Sequence, residues 1–317
     1  MRLRELYNLI IQKGLAKDPR TKKELRDEHK RIRREYGRLA PEDKKYFDKD
    51  CLKHPYTDTR ILYGAGKENV RTFMVGIDIG GEELLMAHIL NEKGAGIDLA
   101  MSHHPSGKAM VGLYKVMHVQ DSILQHFGLD SDATSSLMSE RRGEVARRCS
   151  AGNHERNVDM ARLLNIPLMC VHTPADNHVA HFLKKLFDKK KPKAVRDVLR
   201  ILKGIPEYQD GMRKGAGPQL ICGKEKSAAG KIFVDMTGGT EGSKRVFARL
   251  AQAGVRTIVT MHLSEEHFKT AKSEFINVIV AGHIASDTLG LNLLLDELLK
   301  REDFNIIPCS GYVRVNR

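Results

Sequence analysis

The 317-residue sequence contains no tryptophan, and only 6% of its residues are aromatic. A stacking platform for single-stranded nucleic acid has little to be built from. The five cysteines, Cys51, Cys149, Cys170, Cys222 and Cys309, include no C-x-x-C pair, which argues against a zinc knuckle or disulfide framework and for reduced thiols. Long hydrophobic runs are missing as well. Apolar stretches such as residues 232–236 and 276–281 fall far below the roughly 20 residues of a membrane span. The N-terminal stretch carries Arg2, Arg4, Glu5 and Lys13 in place of an apolar signal core, so the expectation is a cytoplasmic protein with no membrane partner.

What is present is a globular composition: 41% hydrophobic and 29% charged residues, enough for one or two domains with sizeable cores. Lysine and arginine outnumber aspartate and glutamate by 53 to 40, a net charge of +13. Residues 1–60 hold 18 basic and 11 acidic side chains, so this short front segment supplies +7 of that excess. Its apolar residues recur at helical spacing, Leu3, Leu6, Tyr7, Ile10 and Ile11 in one stripe and Leu25, Ile32, Tyr36 and Leu39 in a second, with Pro41 placed to open a third short helix. Mixed-charge runs such as KKELRDEHKRIRRE (residues 22–35) read as solvated helix faces laced with i,i+4 pairs, and nucleic-acid binding through them is expected to be weak or absent.

From about Thr72 short β-branched runs alternate with amphipathic segments. Strands are predicted at 72–79, 97–102, 166–171, 231–236, 256–261 and 276–281, and helices at 82–91, 116–127, 158–164, 243–253 and 288–301. The pattern predicts an α/β fold with mostly parallel sheets and flanking helices in two lobes, preceded by a helical N-terminal arm. The expected divisions are a basic arm (1–68), a first α/β lobe (69–190), a helical inset or hinge (191–226) and a second α/β segment (227–317).

Three polar clusters follow predicted strands directly: SHHP (Ser102 to Pro105), VHTPAD (Val171 to Asp176) and AGHIASD (Ala281 to Asp287). Parallel sheets assemble sites at the carboxyl ends of their strands, so the clusters can converge. Imidazole and carboxylate together suit borderline divalent ions such as zinc, iron, manganese or nickel. Adjacent His103 and His104 point different ways in an extended segment and can serve two ions. A short Asp can bridge ions roughly 3.5–4 Å apart, and His283 and Asp287 can approach one ion from one side.

With these motifs in this order, residues 70–317 resemble the NGG-interacting-factor-three-like family, some members of which are described as GTP cyclohydrolase I type 2 homologues. The likeness is strongest to a bacterial branch with an N-terminal helical extension. It implies a dinuclear metal centre in a cleft, two divalent ions held by His103, His104, Asp176, His283 and Asp287, with Asp176 as the bridging carboxylate and His172 beside the metals. It also implies a homo-oligomer. The family usually has Glu at the last ligand position, so Asp287 either opens a coordination position or demands a small backbone shift.

Other polar features have lesser signals. The TGGTEGSK loop (Thr237 to Lys244) is expected to open a helix and to offer Gly238, Gly239 and Gly242 as an anion loop, or else to serve as a tight packing turn. Lys108 and Lys244 are further candidate anion contacts. His154 or Glu155 is a candidate proton-transfer group, with Asn153 as an ordinary helix N-cap, and His267 is a candidate neighbour of the metals. His178, His181 and His262 carry weaker signals, and Cys170 reads as a small buried hydrophobe. The expected function is that of a dinuclear divalent-metal hydrolase acting on a small anionic, phosphorylated or nucleotide-like molecule. The competing classes are a non-enzymatic metal carrier or chaperone, and a regulatory adaptor using the basic arm.

Overall fold

The computed structural model describes residues 1–317. The chain opens with helices α1 (Leu3–Leu15) and α2 (Lys22–Arg38), followed by strands β1 (Arg60–Tyr63) and β2 (Thr72–Gly76). Helix α3 (Gly81–Glu92) leads to β3 (Leu99–Ser102), after which come α4 (Gly107–Val111), α5 (Leu113–Val116), α6 (His118–His126), α7 (Ser131–Ser150) and α8 (Arg156–Leu163). Strand β4 (Leu168–Cys170) precedes α9 (Thr173–Lys190), α10 (Val195–Lys203) and α11 (Pro206–Arg213). The remainder is β5 (Gln219–Cys222), β6 (Lys231–Asp235), α12 (Val246–Gln252), β7 (Val255–Thr260), α13 (Glu265–Ser273), β8 (Asn277–Val280), α14 (His283–Leu299) and β9 (Asn305–Pro308). No helix is long and apolar enough to cross a membrane.

The strands form two sheets, in the orders β1-β4-β3-β2-β9 and β5-β8-β7-β6. Each is parallel except for one antiparallel edge, β1 against β4 and β5 against β8. Three pairings were invisible to the periodicity, the first being that of β5, which lies in the segment read as a helical inset or hinge yet edges the second sheet against β8. Strand β1 lies in the segment read as a helical arm yet edges the first sheet, and β9, almost at the end of the chain, returns past the whole second sheet to pair with β2. Such short strands derive their pairing from a neighbour already in place rather than from their own pattern.

All six predicted strands form, each within a few residues of its expected bounds. Helix α2 is set by a reciprocal cap: the Glu24 amide donates to Thr21 Oγ1 at 3.2 Å, and the Thr21 amide donates to Glu24 Oε2 at 2.6 Å. Pro41 does not open a helix, because residues 41–46 make turns and a single 3-10 turn follows at Lys49–Leu52. The apolar stripe of α1 is fully engaged, with Leu3, Leu6, Tyr7 and Ile10 buried, whereas α2 buries only Ile32. One continuous core joins α1 to Phe73 and Met101 of the first sheet, and to Ile258, Val278, Leu291 and Leu295 of the second sheet and α14.

Candidate metal centre

The carboxyl ends of β3, β4 and β8 deliver the three polar clusters to one place. Beyond β3 the backbone amides of His103 and His104 still donate to the carbonyls of Gly76 and Ile77, both at 2.9 Å. This extended continuation fixes where the two imidazoles leave the chain. After β4 the chain turns into α9, which presents His172 at its N-cap and Asp176 in its first turn. After β8 it turns at Gly282 into α14, which presents His283 and Asp287 one turn apart. Asp176 thus sits in the first turn of its helix, where the helix dipole favours negative charge.

The donor atoms form two groups that share one residue. His103 Nε2 lies 3.4 Å from Asp176 Oδ1 and 3.4 Å from Asp287 Oδ1. On the other side of the same carboxylate, Asp287 Oδ2 lies 3.4 Å from His104 Nε2 and 3.5 Å from His283 Nε2. His172 Nε2 is more distant, 3.8 Å from Asp176 Oδ2, yet its ligand atom groups with those of His103 and His104. Two atoms each about 2.1 Å from one ion at a tetrahedral angle are about 3.4 Å apart. The observed spacings match that geometry better than they match direct hydrogen bonds.

A second observation tests the fit. His103 Nε2, Asp176 Oδ1 and both carboxylate oxygens of Asp287 are buried without a hydrogen-bond partner. Orphaned charged or polar atoms at such density are costly unless something between them satisfies them all. A divalent cation does so, and the mixed N/O donor set suits one.

Polar neighbours fix the orientation of three imidazoles. His103 Nδ1 is 3.1 Å from the Val171 carbonyl, His104 Nδ1 is 2.8 Å from Asp78 Oδ1, and His172 Nδ1 is 2.9 Å from Asp58 Oδ2. These partners only accept, so each Nδ1 carries a proton and each Nε2 is the nitrogen turned toward the centre. Asp58 also receives Thr173 Oγ1 at 2.6 Å. Asp58 and Asp78 were missed in the sequence. Asp78 ends a predicted strand and was reachable by the same strand-end reasoning; Asp58, in a loop before β1, had no such signal.

The protonation equilibria show how strongly charge is concentrated here. Burial pushes Asp176 up to about 6. Burial also opposes ionisation of Asp287, but the neighbouring His103, His104 and His283 outweigh it and hold the carboxyl well below its usual range. For His104 burial disfavours the cation, but Asp287 and Asp78 prevail and raise it to about 10. Burial dominates at His283 and lowers it to about 4.

The remaining candidates are distributed around the cleft over this centre. His154 lines it and Glu155 does not. Asn153 caps nothing, since α8 begins only at Arg156 with Glu155 at the N-cap and no side-chain cap. His267 is buried away from the cleft, its Nδ1 2.7 Å from Ser264 Oγ and its Nε2 3.0 Å from the Gly242 carbonyl, so both ring nitrogens are occupied in holding a loop. The glycine loop does not open a helix directly, because α12 starts at Val246. Gln120 Nε2 donates to the Gly238 and Thr240 carbonyls at 2.9 and 2.6 Å; Gly239 reaches the cleft wall. Lys108 and Lys244 pair with Asp48 and Glu266. His262 approaches the centre instead, its ring 4.7 Å from that of His283 and its Nδ1 3.3 Å from Glu241 Oε1. Cys170 is fully buried, as expected.

Among solved structures, a NIF3 superfamily protein from Sphaerobacter thermophilus matches 80% of this chain and 91% of its own, with 28% identity and a TM-score of 0.69. The chain has a NIF3-like fold. More distant likenesses are reduced HcgD from Methanocaldococcus jannaschii, with 16% identity, 78% and 87% coverage of this chain and its own and a TM-score of 0.49, and TTHA1606 from Thermus thermophilus, with 17%, 89%, 96% and 0.46. No protein-family model and no curated protein matches the sequence. In this NIF3-like chain the buried histidine and aspartate groups could hold a metal ion.

Proposed function

We propose that this NIF3-like chain is a dinuclear-metal hydrolase acting on a small phosphorylated or nucleotide-like substrate. The observation that carries the reading is the division of donor atoms into His103, Asp176 and Asp287 on one side and His104, His283 and Asp287 on the other. Zinc, iron, manganese and nickel all suit that donor set. Asp287 would take the bridging role that the resemblance gives to Asp176, because its oxygens lie 3.4–3.5 Å from His103, His104 and His283, whereas those of Asp176 lie 3.4 Å from His103 and 3.8 Å from His172.

Metal ions in such a site would supply Lewis acidity and a hydroxide at neutral pH. The protein's own groups do the rest. Asp58 and Asp78 hold His172 and His104 in one tautomer. His262, raised above its usual value by its hydrogen bond to Glu241 against the effect of burial, is a proton carrier at the cleft wall. The depth of His103, Asp176 and Asp287 favours resident ions over readily exchanged cargo.

Metal analysis of protein purified without a histidine tag, followed by a panel of phosphoesters and nucleotides, tests the reading. The expected result is close to two divalent ions per chain and turnover of at least one phosphorylated compound. One ion or none in folded protein removes the dinuclear centre; two ions without any turnover favour a carrier.

A further inference from the structure

The cleft over the His/Asp cluster encloses about 1020 Å³, at the upper end of pockets that take small ligands. His104, His172 and His283 reach one part of its wall, and the end of α7, the turn after it and the start of α8 supply Arg148, Asn153, Arg156 and Asn157 to another. On α7 itself Arg141 is paired with Glu144, and Arg142 with Asp121. Arg148 and Arg156 have no such carboxylate. The acids that line the cleft are already engaged: Asp78 by His104, Glu144 by Arg141, and Glu241 by the Ser264 amide at 2.7 Å. Arg148 near the end of α7 and Arg156 at the start of α8 therefore line the cleft with no internal counter-charge.

That turn is fastened to the metal-ligand loop at two points. The Gly107 amide donates to the His154 carbonyl at 2.8 Å, and Asn157 Nδ2 donates to Ser106 Oγ at 3.2 Å. Ser106 follows His104 by two residues, a span of at most about 7 Å. The segment that carries the arginines is thereby tied to the chain that carries His104, and both line the same cleft. Planar guanidinium forks match the oxygens of a phosphate group, which a lysine would meet only as a point charge.

We propose that Arg148 and Arg156 form a phosphate-binding subsite, so that the substrate is a compact phosphate monoester of about nucleoside-monophosphate size. Its phosphate is a handle at the α7–α8 turn, and its reacting group is presented to His104, His172 and His283. The position of the reacting group rests on the metal-hydrolase reading; the subsite stands without it.

Adenosine 5′-monophosphate and adenosine serve as probes in calorimetric titrations of the full chain, metal-loaded and metal-depleted. Wild type is expected to bind the nucleotide at least about tenfold more tightly than the nucleoside, a difference within reach of charge-assisted hydrogen bonds. The double variant Arg148→Gln, Arg156→Gln is expected to lose at least that factor for the nucleotide only, with metal content and circular dichroism unchanged, and to show the same loss in metal-depleted protein. Nucleotide affinity that ignores the arginines, or vanishes with the metal alone, overturns the subsite, as does undetectable nucleotide binding to wild type at millimolar concentration. Arginine-dependent binding in a chain that holds fewer than two ions would leave the subsite standing and remove the dinuclear reading.

Discussion

With Oδ1 turned to His103 and Oδ2 shared between His104 and His283, Asp287 touches both donor groups. Replacing it with alanine is therefore expected to empty both metal positions, beyond the side held with His283. Asp287→Glu is expected to weaken binding too: the side chain is fully buried, and an added methylene would drive its oxygens into imidazoles already at 3.4–3.5 Å. Metal stoichiometry on folded variants decides both, and an Asp287→Ala protein that keeps either ion would unseat Asp287 as a bridge. A second residue-scale expectation concerns His54. It accepts the Tyr56 amide at Nδ1 and faces the Tyr7 hydroxyl at 2.7 Å through Nε2, so its neutral form is specified by its partners. Burial, with Arg60 nearby, lowers it to about 3. A histidine kept neutral in the folded state loses stability as pH falls below the unfolded value, because only the unfolded chain takes up the proton, and the loss ends once the folded value is reached. With an unfolded value of about 6.5, His54 is expected to cost about 2 kcal/mol at pH 5 relative to pH 7. Urea unfolding should show the stability gap between wild type and His54→Gln narrowing by about that amount at pH 5; an unchanged gap would mean that His54 titrates normally.

At the scale of elements, the close pairing of α9 and α14 sets the site's width. Both helices begin at the centre, α9 with Asp176 in its first turn and α14 with His283, one turn before Asp287. Gly290, three residues beyond Asp287, lies so near the Ala175 carbonyl that a Cβ there would sit 2.6 Å from the oxygen. This approach brings a short aspartate within reach of His103. Gly290→Ala is expected to push the helices apart, to cost about 1–3 kcal/mol of stability, and to weaken metal binding though it touches no ligand. Thermal unfolding with metal analysis checks this; a variant with lowered stability and full metal content would separate helix packing from the geometry of the centre.

At the scale of the whole molecule, the N-terminal segment is part of the site's support. Asn177 on α9 donates to the Gly14 carbonyl at 3.3 Å, Tyr56 donates to Asp18 at 2.7 Å, and Lys13 pairs with Glu297 of α14 at 2.9 Å. Asp58, which orients His172, comes from the same front segment. Deleting residues 1–20 exposes the surfaces that meet Leu3, Leu6, Tyr7 and Ile10. Burial of each such side chain contributes about 1.5–3 kcal/mol, so the loss is comparable with the whole stability of a domain. The deletion is expected to yield a protease-sensitive chain with impaired metal binding. A truncated protein that unfolds at the wild-type urea concentration would show the arm to be dispensable.

The alternation of β-branched runs and amphipathic helices specifies the α/β fold locally, and strand-end histidines are legible because parallel strands must discharge their chains at one edge. The three clusters could thus be picked out by position, the family resemblance pointed within them to His103, His104, His172, Asp176, His283 and Asp287, and the structure brings these side chains together. Nothing local distinguishes which carboxylate lies between the two histidine groups, because that depends on the distance between α9 and α14. The return of β9 to the first sheet, the support of His172 by Asp58, and the meeting of the α7–α8 turn with the loop after Pro105 join segments far apart in sequence. Periodicity reports which face of a segment is apolar; only packing decides what that face meets, and here packing sets the spacing of the donor atoms.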